Sequence, residues 1–349
     1  MINQQHFSSL RDDLLCLPGL GSLAEHCANR HLLLTGATGF FGRWLLALLD
    51  ELNRKGAGIT VTVVSRNPNR FLDAQPHYRD CSWLRWVSAD IRELRQLPGR
   101  PVELILHGAA DTSAAAHARP LELFDTIIEG ARRVLDLAVR NDGARVLFTG
   151  SGAQYGVLPT EGRATEEQGA ACLSNRISSA YGEAKRAQET LGAIYAQAHG
   201  LEVVNTRCFA FAGPGLPLNA HFAIGNFVRD ALSNDEIVLN SSGQAMRSYL
   251  HGADLAVWLL TLLLRGESGS AYNVGSDQAI TIAELARRVI DRIAPGKRVR
   301  ILGRGDDSGR SFYVPDISRA RGLGLDVWTT LDQSIDSMAA WAKSPGYVN

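Results

Sequence analysis

The stretch His31-Leu32-Leu33-Leu34-Thr35-Gly36-Ala37-Thr38-Gly39-Phe40-Phe41-Gly42 decides how this chain is read. Its opening residues form a short apolar run that reads as a strand. The glycines read as a turn, and the apolar run Trp44 to Leu52 reads as a helix that begins near Arg43. Glycine at 36 permits a tight turn, glycine at 39 lets the backbone approach a phosphate, and glycine at 42 lets helix and strand pack closely. The helix N-terminus then offers free N–H groups and a partial positive charge, which suits a pyrophosphate. Glycine clusters mostly mark ordinary turns. Here the preceding strand and following helix point to a dinucleotide held by Gly36, Thr38, Gly39, Phe40, Phe41 and Gly42.

Outward from this turn the same alternation recurs. Strands are expected at Ile59 to Val64, Leu84 to Val87, Val102 to Leu106, Arg145 to Thr149 and Leu201 to Thr206, with helices at Leu121 to Val139 and Ala180 to His199. Apolar strands alternating with helices predict an α/β fold, a Rossmann-type doubly wound parallel sheet covered on both faces. After Pro214 the regularity breaks: helices are expected at Ile224 to Leu232, Ala253 to Leu264 and Ile282 to Ile293, and a short strand at Ile237 to Leu239. The expected division is an N-terminal helical extension over 1–29, a Rossmann domain over 30–214, and a smaller C-terminal α/β lobe for the substrate over 215–349, some of whose segments return to the Rossmann domain.

Bulk properties exclude several classes. The 349 residues carry 36 basic and 36 acidic side chains, so no net field draws the protein to nucleic acid or an anionic membrane. No uncharged apolar run reaches the ~18 residues of a membrane helix, and the N-terminal stretch, with Asp12 and Asp13, does not read as a secretion signal. Cys16, Cys27, Cys81, Cys172 and Cys208 are scattered and never spaced C-x-x-C, which indicates neither a disulfide framework nor a metal site. A soluble protein of a reducing cytoplasm is expected.

At the end of the second strand stands Val64-Ser65-Arg66-Asn67. An acidic residue there would hold the ribose 2′-hydroxyl of NAD, whereas Ser65 and Arg66 suit a 2′-phosphate, which tilts the choice toward NADP over NAD. The other reading of Arg66 is a solvated surface residue. Asp90-Ile91, after the next strand, offers a carboxylate to the adenine amino group or simply a helix cap.

Tyr181 and Lys185 share one face of a helix, being four residues apart. A phenol titrates near 10 when unperturbed, and an adjacent ammonium lowers it, making tyrosine a usable proton donor or acceptor for hydride transfer. Ser151, just past a strand end, is placed to bind a substrate oxygen, or else to satisfy its own turn.

With these residues the chain resembles an extended short-chain dehydrogenase/reductase of the NAD-dependent epimerase/dehydratase family, which acts on nucleotide sugars. The resemblance runs from His31 onward through His107-Gly108-Ala109-Ala110, Ser151, the Tyr181/Lys185 pair, Arg207 to Pro214, Arg247-Ser248-Tyr249-Leu250 and Tyr272 to Gly275. It implies that Lys185 also holds the nicotinamide ribose, and that His107, Ala109 and Ala110 line the cofactor. It also implies a nucleotide-diphospho-sugar substrate held by Ser151, Gln154, Arg247 and Tyr249, and a homodimer built on the helices 121–139 and 180–199. Arg247 is the natural diphosphate ligand, since guanidinium binds phosphate bidentately. The other reading of Arg247 is a salt bridge to Asp254.

Departures narrow the reaction. Members that dehydrate a hexose place Asp-Glu directly after the active-site hydroxyl, and members that decarboxylate a uronic acid share a glutamate at the position of Ala153. Here Gly152 and Ala153 can act as neither acid nor base. The sequence therefore favours hydride transfer at C4 of a nucleotide-linked hexose, as 4-keto reduction or 4-epimerisation, over a 4,6-dehydratase, a UDP-glucuronate decarboxylase or a non-catalytic dinucleotide binder. Ala210 and Ile127 stand where the family often has asparagine.

Overall fold

The computed structural model describes residues 2–97, 99–111, 113–156, 158, 162–168, 171–303 and 311–344; the last five residues of the expected C-terminal lobe fall outside this set. The run His31 to Thr35, buried along its whole length, forms the strand β1 (His31–Thr35) at the middle of a sheet. With it run β2 (Thr60–Ser65), β3 (Leu84–Ser88), β4 (Leu104–His107), β5 (Arg145–Thr149) and β6 (Val203–Cys208). The smaller C-terminal strands are β7 (Phe211–Ala212), β8 (Glu236–Leu239), β9 (Met246–Arg247), β10 (Leu250–His251), β11 (Ala271–Val274), β12 (Ile280–Thr281), β13 (Arg298–Ile301) and β14 (Phe312–Tyr313). Seven of these form one sheet in the order β11-β6-β5-β4-β1-β2-β3, every neighbouring pair parallel. This is the expected Rossmann-type sheet, extended at one edge by β11, a strand from the C-terminal part of the chain.

The helices are α1 (Ile2–Leu15), α2 (Leu20–His26), α3 (Phe40–Arg54), α4 (Pro68–Ala74), α5 (Ala114–His117), α6 (Pro120–Arg140), α7 (Ala180–His199), α8 (Ala223–Ser233), α9 (Gly252–Arg265), α10 (Ile282–Ile293), α11 (Ser318–Arg321) and α12 (Leu331–Lys343). One sheet face is covered by α3 and α9, whose buried Leu45, Leu48, Trp258 and Leu262 join Leu32, Leu34 and Val63. The other is covered by α6, whose Ala131, Val134, Leu135 and Ala138 repeat at helical spacing against Leu33, Ile105 and Phe148. A separate core of α8, α10 and α12, with Phe227, Leu285 and Ile335, holds the lobe together.

Boundaries shift where side chains take over backbone bonds. The helix after the glycine turn starts at Phe40 rather than near Arg43, because Gly39 is already extended at its N-cap (φ −88°, ψ −173°). β4 begins after Val102, whose N–H goes to Asn141 Oδ1 at 3.0 Å instead of to a neighbouring strand. The N-terminal extension is a pair of helices laid across α3 and α9: Leu10, Leu14, Leu17, Leu20 and Leu23 enter the main core, and Arg11 pairs with buried Glu51 at 2.7 Å.

Candidate active site

Parallel register sets the site. Thr35 lies beside Val64 on one side and His107 on the other, and His107 lies beside Phe148, so the chain leaves β1, β4 and β5 in one row at the C-terminal edge. There Gly36 takes φ +77°, and a Cβ on it would stand 2.4 Å from the Gly108 carbonyl oxygen. A Cβ on Gly42 would lie 2.1 Å from the Ala37 Cα, so only glycine lets α3 meet the turn this closely. Gly39 is exposed, and α3 presents its leading N–H groups beside it. Thr38, Phe40 and Phe41 are half-buried around it; Phe41 meets Phe211 edge-on at 4.9 Å.

Beneath the turn, Thr35 Oγ1 accepts the N–H groups of Gly108 and Ala109, each at 3.1 Å, so its own proton goes to His107 Nδ1 at 2.8 Å. His107 is therefore neutral and protonated at Nε2, and burial, with Lys185 beside it, pulls its pKa down to about 3. Expected as a cofactor contact, His107 has its side chain buried below the crevice and braces the loop that carries Ala109 and Ala110, both half-buried.

Two further cofactor expectations lie just after β3. Asp90 caps the short turn Ile91–Glu93, and its carboxylate oxygens accept from Arg92 at 3.0 and 2.8 Å. The Ile91 side chain is 6 % exposed and packs into the core under α6. Ser65 is half-buried and Arg66 exposed at the end of β2, and Arg66 helps hold the carboxyls of Asp90 and Asp111 below their ordinary range, after hydrogen bonds from Arg92 and Ser113 respectively.

The structure brings Ser151, Tyr181 and Lys185 together. Ser151 follows β5, caps the turn Gly152–Tyr155 by accepting the Ala153 N–H at 3.2 Å, and bonds the Tyr181 phenol. Lys185, 2 % exposed, donates from Nζ to the Thr149 carbonyl at 2.6 Å and to Gln188 Oε1 at 3.1 Å. Burial lowers its pKa to about 8. The Tyr181 phenol is pushed the other way, to about 12, by burial that outweighs the Ser151 hydrogen bond. The expected lowering of Tyr181 by Lys185 is thus absent, because the ammonium is directed at Thr149 and Gln188. Tyr181 stands as a neutral proton donor through the neutral range.

Sequence reasoning missed Tyr313. Its phenol comes from β14, bonds Ser151 and reaches over Gly152, where a Cβ would lie 2.5 Å from its oxygen. A short aromatic pair after a loop gave no periodic signal. Gln154, expected on the substrate, is 2 % exposed: its Oε1 accepts the Ser151 N–H at 2.7 Å and its Nε2 donates to Glu189 at 2.8 Å. Glu189 is in turn gripped by Arg207 at 3.1 and 3.0 Å.

In the lobe, Arg247 donates to the Met246 carbonyl at 2.7 Å and the Ser311 carbonyl at 2.9 Å, and its guanidinium lies 5.7 Å from the Tyr313 ring centre. It does not pair with Asp254, whose buried carboxylate is filled by the N–H groups of Trp328 and Thr329 and the Thr329 hydroxyl. Tyr249 is corrected: it is 8 % exposed in the lobe core and lines a separate cavity of about 360 Å³ with Ser276, Gln278, Glu284 and Arg288. A cavity of about 650 Å³ among Arg30, Asp142, Arg145 and Glu202 opens at the opposite, N-terminal end of the strands, away from this chemistry. Among the described residues there is no group of three or more metal-ligating side chains, and no helix is long and apolar enough to cross a membrane.

A glycine turn feeding a helix, with serine, tyrosine and lysine gathered beyond the strand ends, defines the short-chain dehydrogenase/reductase class. The chain belongs to the NAD dependent epimerase/dehydratase family, whose model matches residues 32–275. Among curated proteins it is 28% identical over 300 residues to UDP-glucuronic acid decarboxylase 6 of Arabidopsis thaliana, covering 84% of this chain and 83% of that one. Among solved structures, the UDP-glucose 4-epimerase of Thermotoga maritima, bound to UDP-glucose, superposes with a TM-score of 0.74 at 19% identity, covering 89% of this chain and 98% of that one. A dTDP-glucose 4,6-dehydratase of Streptomyces venezuelae gives 0.75 at 24% identity, covering 90% and 97%. Both likenesses speak to the fold.

Proposed function

We propose that this protein transfers a hydride at C4 of a nucleotide-diphospho-hexose, as a 4-keto reductase or a 4-epimerase. The observation that carries the reading is the gathering of Ser151 at the end of β5 beside the half-buried Tyr181, with Lys185 one helical turn on and its ammonium on the Thr149 carbonyl. A nicotinamide dinucleotide, when bound, supplies the hydride. The residues around Gly36 to Gly42, with the helix N-terminus, suit its pyrophosphate, and Lys185 its ribose. Ser151 holds the reacting oxygen, and Tyr181 gives that oxygen its proton when a ketone is reduced or takes it when an alcohol is oxidised. Arg247, beside Tyr313, is the diphosphate candidate, and Arg66 favours NADP over NAD.

Replacing Tyr181 with Phe removes the proton donor while leaving the turn untouched. Turnover on 4-keto and 4-hydroxy nucleotide sugars should fall about a hundredfold or more while dinucleotide affinity holds. Unchanged turnover refutes the assignment. A steady nicotinamide absorbance change marks a reductase, and product isomerisation without one marks an epimerase.

The curated relatives named UDP-glucuronic acid decarboxylase favour a second reading, decarboxylation of a nucleotide-linked uronic acid. Gly152 and Ala153 argue against it, and carbon dioxide release from UDP-glucuronate decides it. We further propose a homodimer through α6 and α7, whose Leu121 and Ile194 are 75 and 53 % exposed; a monomeric mass by light scattering removes it. Five unpaired cysteines fit a cytoplasmic setting.

A further inference from the structure

Tyr181, Lys185 and Glu189 stand at steps of four in α7 and so lie along one face of that helix. All three meet the same short stretch of chain beyond β5. Tyr181 stands beside Ser151, Lys185 holds the Thr149 carbonyl at 2.6 Å, and Glu189 reaches Ser151 at one remove. The Ser151 N–H donates to Gln154 Oε1 at 2.7 Å, and Gln154 Nε2 donates to Glu189 Oε1 at 2.8 Å. Arg207, from β6, grips both Glu189 oxygens at 3.1 and 3.0 Å. The Gly150 N–H still bonds the sheet, at the Thr206 carbonyl at 2.7 Å; one residue on, a side-chain amide replaces the sheet as the partner of Ser151. Gly150 leaves it room, since a Cβ there would stand 2.1 Å from the Thr206 carbonyl oxygen and 2.4 Å from Gln154 Oε1. The Ser151 N–H can only donate and the Glu189 carboxylate can only accept, so one orientation of the amide serves both. Gln154 is 2 % exposed, which shields this chain of bonds from water.

We propose, on the reading above that Ser151 holds the reacting oxygen, that Gln154 is a positioning residue: held by Glu189 and Arg207, it fixes the Ser151 backbone and so sets the serine hydroxyl against the Tyr181 phenol. One helix then governs both partners of the reaction. α7 presents Tyr181 directly and holds the chain on either side of Gly150, at Thr149 through Lys185 and at Ser151 through Gln154. Misplacing a reacting group by about 1 Å costs about a hundredfold in rate. Slack in this tie is therefore read in kcat, while dinucleotide affinity, set at the glycine turn, holds.

The test swaps the two partners in the full-length enzyme. Gln154→Glu sets two carboxylates against each other; Glu189→Gln added to it restores an acceptor for the Ser151 N–H, a donor between the side chains and an acceptor for Arg207. The ionisable groups around the pair are Arg207 on β6, Lys185 on α7, Tyr155 on the turn, whose ring lies 4.8 Å from the Arg207 guanidinium, and Glu166, whose carbonyl accepts Arg207 at 3.1 Å. At pH 8, Gln154→Glu should lower kcat per folded molecule about tenfold or more, with dinucleotide Kd unmoved, and the double variant should recover most of the loss. As pH falls toward 5 the introduced carboxyl takes a proton and donates to Glu189 as the amide did, so the deficit against wild type should shrink. Hydrogen exchange of the Ser151 amide, which needs no substrate, should speed about tenfold or more in Gln154→Glu and slow again in the double variant. Gln154→Met keeps the bulk and drops both bonds, and serves with the same expected losses if Gln154→Glu does not fold. Unchanged kcat, unchanged amide exchange, or a double variant no better than the single one overturns the proposal. A wild-type enzyme inactive on 4-keto and 4-hydroxy sugars counts against the C4 reading, and the amide exchange still decides the tie.

Discussion

Gly152→Ala tests whether the space beside the reactive serine belongs to Tyr313. The added Cβ would stand 2.5 Å from the Tyr313 oxygen, 2.9 Å from its Cζ and 3.1 Å from Phe209 Cε1, against an ordinary contact of ~3.5 Å or more. The Tyr313 ring cannot simply slide aside, since Phe209 packs on it with centres 4.7 Å apart and Arg247 lies over it at 5.7 Å. Overpacking of this kind costs about 1–3 kcal/mol. If that strain also shifts the Ser151 hydroxyl, kcat/KM falls by roughly tenfold for each 1.4 kcal/mol. Tyr313→Phe in the same chain removes the closest atom, so the double variant should recover part of the lost stability. The assays are urea unfolding and kcat/KM on the ketone substrate. A stable, fully active Gly152→Ala, or a double variant no better than the single one, refutes the claim that Tyr313 occupies this space.

Three further outcomes follow from buried groups. Thr35→Val strands the Ala109 N–H and His107 Nδ1 and should cost about 2–4 kcal/mol in urea unfolding, while Thr35→Ser should restore most of it. Lys185 titrates at about 8 in the fold against an ordinary ~10.4, so between those values the unfolded chain holds the extra proton and stability rises with pH, by roughly 3 kcal/mol; Lys185→Met should lose that rise. Asp13, on α1, is raised to about 7 by burial and then by Asp12 and Asp254, and its Oδ2 has no aligned donor although His251 Nε2 is 3.5 Å away. The fold therefore keeps a proton that the unfolded chain loses above ~4, stability falls as pH climbs from there to about 7, and Asp13→Asn should flatten that slope in melts at stepped pH.

What the sequence revealed and what it hid divide along sequence separation. The glycine turn, the alternation of strands and helices, and the Tyr181/Lys185 spacing are local patterns, and the parallel sheet then carries Ser151 to the same edge through register. Gln154 sits three residues from Ser151 and looks free to face a substrate. Only the fold shows that Glu189 and the Ser151 N–H consume its amide. Ile91 and Tyr249 carry apolar rings or branches that hydrophobic cores claim first, so their side chains turn into the protein. The aim of Lys185, onto Thr149 and Gln188, is not legible in the sequence, because i, i+4 spacing fixes a shared face, not the direction of an ammonium on a four-carbon stem.

The bare positions of the crevice are as informative as its side chains. A Cβ on Gly36 would strike the Gly108 carbonyl, one on Gly150 would stand 2.1 Å from the Thr206 carbonyl oxygen, and one on Gly152 would meet the Tyr313 phenol. Each of these glycines clears room for a group that arrives from elsewhere in the chain. The missing carboxylate at Gly152 is then more than a lost acid: an aspartate there would demand that Tyr313 leave Ser151, so the choice between a carboxylate and a second phenol beside the reactive hydroxyl is a single steric choice, made jointly by β5 and β14.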